Sequence, residues 1–145
     1  MSDILDKRAE WHSQCRVKLL GEDNSNTIAD TTLDFWSDLA ERLIKAKATD
    51  WATLLTAGGN DKEYLIDATI SMLCAMYVTP LKNQMATDIK VGEIAVKKEL
   101  DFDSMELDFY GEVEFLLGKI STYTMTTITR VGKITNTEIF EAIEN

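Results

Sequence analysis

One proline, one histidine and two cysteines are all that this chain of 145 residues carries of those types. Each scarcity excludes something. With His12 as the only histidine, a paired-histidine acid–base site, an HExxH zinc site and the Glu-x-x-His pairs of a di-iron centre are all ruled out. Cys15 and Cys74 belong to no CxxC pair, so zinc-ribbon and thioredoxin-type chemistry are excluded, and two free, buried thiols in a reducing compartment are expected. The N-terminus MSDILDKRAEW is charged and has no apolar signal core, and no Asn-x-Ser/Thr sequon occurs. These features set the expectation of a cytoplasmic protein. The most apolar run, 64–81, is interrupted by Asp67, Thr69, Ser71 and Pro80, and reads as too broken to span a bilayer.

Catalytic signatures are also missing. Gly118-Lys119 and Gly132-Lys133 lack the upstream glycine and the following Ser or Thr of a phosphate loop. No GxSxG elbow occurs, and neither cysteine has a visible base. Asp101, Asp103 and Glu112 imitate the ends of a calcium loop, but Met105 and Glu106 occupy its fifth and sixth positions, where a ligand and an obligatory glycine are needed. No cofactor or metal site is expected. An enzyme using some of the plentiful carboxylates stands as a third, minor reading.

What the chain does have is acid. Its net charge is −10 and its mean hydropathy is −0.14, with 45% hydrophobic residues, which describes a globular chain and not a disordered one. Residues 1–98 hold 15 acids and 12 bases, whereas residues 99–145 hold 10 acids and 3 bases. The charge concentrates in ELDFDSMELDFYGEVEFLLG, 99–118, which contains no Lys or Arg. Such a balance argues against direct nucleic-acid binding, which needs a basic stripe, and against docking on an anionic membrane. It suits a basic protein partner, mimicry of nucleic acid, or simple solubility. The partner-facing residues assigned on this basis are Glu106, Asp108, Glu112 and Glu114.

Length and pattern predict a single domain over 1–145, large enough to hold its own core. A helix is predicted over 3–20, with Ile4, Trp11, Cys15 and Leu19 on one stripe and Gly21 as its stop. A polar loop follows at 21–27. A second helix, 31–48, has a Thr31–Asp34 capping box and a broad apolar face that includes Leu33, Phe35, Trp36, Leu39, Ala40, Leu43 and Ile44. A short piece at 50–56 runs to Gly58-Gly59. The third main helix is capped by Asn60 and apolar nearly all round from Tyr64 to Val78, the mark of a buried central helix. Thr79-Pro80 is expected to interrupt it before a segment at 81–85. Residues 88–98 read as extended chain, and 138–144 as a short amphipathic turn.

The acidic block admits two periods. Period two puts Met105, Leu107, Phe109, Val113, Phe115 and Leu117 together, as in a strand. Period 3.6 puts Phe102, Met105, Phe109, Val113, Leu116, Ile120 and Tyr123 together and leaves Leu107 and Phe115 as misfits. An Asp103 or Ser104 cap and acids in the first turns favour the helix. The expected fold is therefore mainly α, a packed helical bundle with a short extended or hairpin element near 88–100. The alternative is α+β with a C-terminal antiparallel sheet.

Two segments, LIDATISMLCAMYVTPLKN (65–83) and SMELDFYGEVEFLLGKIST (104–122), together resemble the small helical head–tail connector (adaptor) proteins of tailed bacteriophages. The shared order is a buried helix, a looped excursion, and a helix closing near Gly-Lys. Those proteins often carry Arg and Tyr in the buried helix; here Tyr64 and Tyr77 are present and Arg is absent. The resemblance implies a mainly helical, non-enzymatic protein of the virion, forming homo-oligomeric rings between portal and tail and located in the host cytoplasm or the virion. It carries no site residue over. The alternative function is an acidic inhibitor, an immunity or anti-defence protein covering a basic partner.

Overall fold

The computed structural model describes residues 3–85 and 101–120, in which five α-helices pack together and no strand occurs. They are α1 (Trp11–Leu20), α2 (Asp30–Lys47), α3 (Trp51–Ala57), α4 (Gly59–Met85) and α5 (Phe102–Lys119), preceded by a 3-10 turn at Leu5–Lys7. The mainly-α bundle expected from the pattern is the fold. The extended element at 88–98, the Thr-rich run after Ile120 and the turn at 138–144 lie outside the described residues.

α4 is the axis of the molecule. It contacts every other element, and its largest contact is with α5. From Leu65 to Val78 nearly every side chain is buried, as an all-round apolar helix requires. Its buried hydroxyls are satisfied: Thr69 donates to the Leu65 carbonyl one turn back at 2.8 Å, and Ser71 donates to Glu112 of α5 at 2.9 Å.

The expected interruption at Pro80 does not occur. α4 continues through it to Met85, so the Met76 carbonyl forgoes one helical hydrogen bond while the flanking Tyr77, Val78 and Leu81 are buried. Packing on both sides outweighs the missing donor. An unbroken α4 is long and apolar enough to cross a bilayer, but 72% of its most apolar window is buried by the other helices. That burial, not an interruption, marks it as a core helix.

Three helix starts also differ from expectation. The 3–20 helix is split: Arg8 is extended (φ −130°, ψ 112°), and α1 begins only at Trp11. The cause is tertiary, because Arg8 turns its guanidinium to Glu63 and Asp67 of α4 and to Gln14. α2 begins at Asp30 without the Thr31–Asp34 cap; Arg16 holds this end instead, through Asp30 at 2.6 Å and the Ile28 carbonyl at 3.2 Å. α4 begins at Gly59, one residue before the expected Asn60 cap. The glycine punctuation is as read. Gly21 ends α1 in the left-handed region (φ 78°), and Gly58 (φ 73°) and Gly59 (φ 70°) make the α3–α4 corner.

Candidate protein-docking site

The acidic block is a helix, α5. Its N-cap is Asp101, two residues before the expected one, whose carboxylate accepts from the Ser104 N–H at 3.3 Å. Phe102, Phe109, Val113, Leu117 and Ile120 are buried, with Met105 and Leu116 half-buried beside them. This is the 3.6-period face, joined by Leu117, which only the period-two pattern includes. The two residues that did not fit it stand in solvent: Leu107 is 74% exposed and Phe115 64%.

Helical pitch, about 100° per residue, also separates the four acids assigned to a partner. Asp108 and Glu112 fall on one flank, Glu106 and Glu114 on the other. Glu112 reaches α1, where the Lys18 ammonium donates to it at 2.7 Å while Ser71 donates to the same oxygen. Burial pushes the Glu112 carboxyl up, but the Lys18 and Ser71 hydrogen bonds outweigh it, so Glu112 is held below the ordinary carboxylate value. Glu114 reaches α2 and accepts from Lys47 at 2.9 Å. Two of the four are thus spent on holding α5 between α1 and α2. Glu106 and Asp108 make no ion pair among the described residues. Lys119 caps the strip, lying 4.9 Å above the Phe115 ring.

The outward strip of α5 therefore runs Leu107, Tyr110, Gly111, Phe115 and Gly118, with Asp108 along its edge. A Cβ added at Gly111 or Gly118 would meet nothing within 4 Å. Three exposed large side chains, Leu107, Tyr110 and Phe115, stand beside two glycines, leaving both anchors and room for a neighbouring backbone.

Beside the strip lies a cleft of about 690 Å³ between α1, α4 and α5. Val17, Ile70, Phe115 and Leu116 give it apolar walls, and Ser13, Gln14, Lys18, Asp67, Ser71 and Glu112 its polar groups. Its polar groups already have partners, Ser13 on Asp23, Gln14 on Arg8, and Lys18 and Ser71 on Glu112. Asp67 is taken by Arg8, and Ser71 donates to a carboxylate that is a weakened base because Lys18 pairs with it. His12 lies elsewhere, stacked on Trp11 at 3.7 Å and hydrogen-bonded to Asp34 at 2.7 Å. Among the described residues no group of three or more His, Cys, Asp or Glu is placed to hold a metal ion. Cys15 and Cys74 are free and buried, and burial pushes the Cys74 thiol up, away from a reactive thiolate.

Residue patterns alone did not single out Glu41, Arg8 or Arg16 as anchors. The one available signal was a charge on an apolar stripe: Glu41 sits between Ala40 and Ile44 on the inner side of α2. The chain matches no protein-family model, no curated protein and no solved structure.

Proposed function

We propose that this protein is a non-enzymatic assembly protein that acts through protein–protein contacts, with the outward strip of α5 as its docking surface. The observation that carries the reading is the exposure of Leu107 and Phe115 beside open-faced Gly111 and Gly118. Single exposed apolar side chains are ordinary, but Leu107, Tyr110 and Phe115 gathered on one outward strip form a patch of the kind that marks an interaction surface. No cofactor, nucleic acid or membrane enters this reading, and the net charge of −10 disfavours the last two.

In its finer form the reading is a subunit of a phage head–tail connector, a homo-oligomer working in the host cytoplasm and the virion. Its support is the resemblance over 65–122, whose two segments correspond to α4 and α5, the helix pair with the largest mutual contact. Mass photometry of the full chain tests it. The connector form predicts a closed species of more than two copies; a chain that never exceeds a dimer overturns it.

A second reading is favoured by Glu106 and Asp108, which no ion pair within the described residues occupies. As an acidic inhibitor the protein would present these carboxylates to a basic partner, with steering by the long-range field and occlusion on contact. Glu106→Lys with Asp108→Lys is the clean test, because Glu112 and Glu114 are already paired with Lys18 and Lys47. Capture of a basic partner that is unchanged by this double reversal, or by added salt, sinks the inhibitor reading.

A further inference from the structure

The exposed side of α2 carries a second apolar ridge, separate from α5. Phe35 is 75% exposed, and Leu39 and Leu43 follow it at successive turns, each 41% exposed. The pattern predicted these three for the core; the core instead takes Leu33, Ser37, Ala40, Glu41 and Ile44 from the opposite side. Nothing among the described residues covers the ridge. Its mount is rigid, since Phe35 packs edge-on against Trp36 at 5.7 Å, and Trp36 against Tyr77 of α4 at 6.2 Å.

The ridge is symmetric about Leu39. Phe35 and Leu43 lie four residues to either side, and Thr32 and Ala46 seven residues to either side. Large, then small, in both directions is the sequence of contacts two identical helices make when they lie antiparallel. Leu39 then meets its own copy, Phe35 meets Leu43 of the other chain, and Thr32 meets Ala46. The charges select the same direction. Asp38 and Arg42 share one flank of the ridge, and an antiparallel pairing sets each Asp38 within a turn of the other copy's Arg42. A parallel two-fold pairing puts that flank of the two copies on opposite sides of the seam, so Asp38 and Arg42 would not meet across it.

We propose that the outward ridge of α2 is a homodimer interface, with α2 of one copy antiparallel on α2 of a second copy and Leu39 on the two-fold axis. The proposal is independent of the docking role of α5, which involves other residues on another helix. One helix face is smaller than the roughly 800 Å² per partner of a standard stable interface, so the dimer is weak and concentration-dependent.

Cysteine cross-linking of the full chain tests the geometry. Cys15 and Cys74 are buried, so the wild type is the blank. With copper-phenanthroline as oxidant, Leu39→Cys is expected to give a disulfide-linked dimer. Phe35→Cys alone and Leu43→Cys alone are expected to give little, because each would sit about 12 Å from its own copy, beyond disulfide reach. Mixing the Phe35→Cys and Leu43→Cys chains is expected to restore the cross-link between them. Sedimentation equilibrium is the second measurement: Leu39→Glu, with its helical circular dichroism checked against the wild type, should raise the dimer dissociation constant about 30-fold or more. Self-linking of Phe35→Cys would show a parallel pair and overturn the proposal. An uncoupled Leu39→Cys in a chain that stays monomeric at its highest soluble concentration would assign the ridge to another occupant, and also overturn it.

Discussion

Glu41 is a carboxylate placed on the buried side of an apolar helix, only 3% exposed, and it acts as a receptor for the chain's beginning. Its two oxygens accept from the backbone N–H groups of Asp3 (2.9 Å), Ile4 (3.1 Å) and Leu5 (2.9 Å), and so place Ile4 and Leu5 in the core. Removing the acceptor strands buried donors. Glu41→Ala is therefore expected to lower the unfolding free energy by about 3 kcal/mol in a urea melt, with Glu41→Gln milder because one oxygen remains. A loss within about 0.5 kcal/mol would show that the start of the chain is not anchored there. Arg16, only 6% exposed, does the same for the α1–α2 loop by bridging Asp23 and Asp30. The Arg16 hydrogen bonds hold both aspartates below their ordinary value of 3.8. A carboxylate depressed in the folded state stabilises above its unfolded value, and that stability is lost as pH falls through the folded one. Stability should accordingly decline from about pH 5 downward, and Asp23→Asn with Asp30→Asn should flatten that decline in melts taken across pH. Equal acid limbs in variant and wild type would contradict the account. Of these anchors only Glu41 left a signal, as a charge on an apolar stripe; the pairings span 7 to 38 residues, and no local pattern encodes them.

Elements were far more legible, and their errors have a common cause. The 3.6 period of α5 was decided by burial, and its two misfits, Leu107 and Phe115, proved to be its surface. Patterning found the inner face of α2 but could not separate it from the outer ridge, because both are apolar and only α4 decides which side is covered. Starts were misplaced where a side chain from another element replaced the local cap, as Arg16 does for α2. Glycine chemistry gives a contrast at this scale. Gly111 lies inside α5 with open space where a Cβ would go, so Gly111→Ala should stabilise by about 1 kcal/mol. Gly58 has equal room but a φ of +73° with ψ −153°, a backbone region essentially confined to glycine, so Gly58→Ala should cost about 2 kcal/mol. Chemical denaturation of the two variants checks the pair; the same sign for both would mean that space, not backbone conformation, governs these sites.

At the scale of the whole molecule, one buried helix is clad by α1, α2, α3 and α5, and what remains outside is informative. Helix α4 was legible as central from its all-round apolar character, and the buried Cys15 and Cys74 fit the free thiols expected. The acidic surface was legible as charge but not as geometry, because helical pitch scatters acids that a strand would have aligned. Two of the four assigned acids turn inward to Lys18 and Lys47, and the exposed apolar strip between the flanks becomes the central feature of the candidate site. The most direct test is sedimentation velocity of the full chain beside Leu107→Arg/Phe115→Arg, both at mostly exposed positions. The account predicts a multi-copy species for the wild type and nothing larger than the α2 dimer for the variant, with unchanged helical circular dichroism. An identical distribution of species for the two proteins would contradict it.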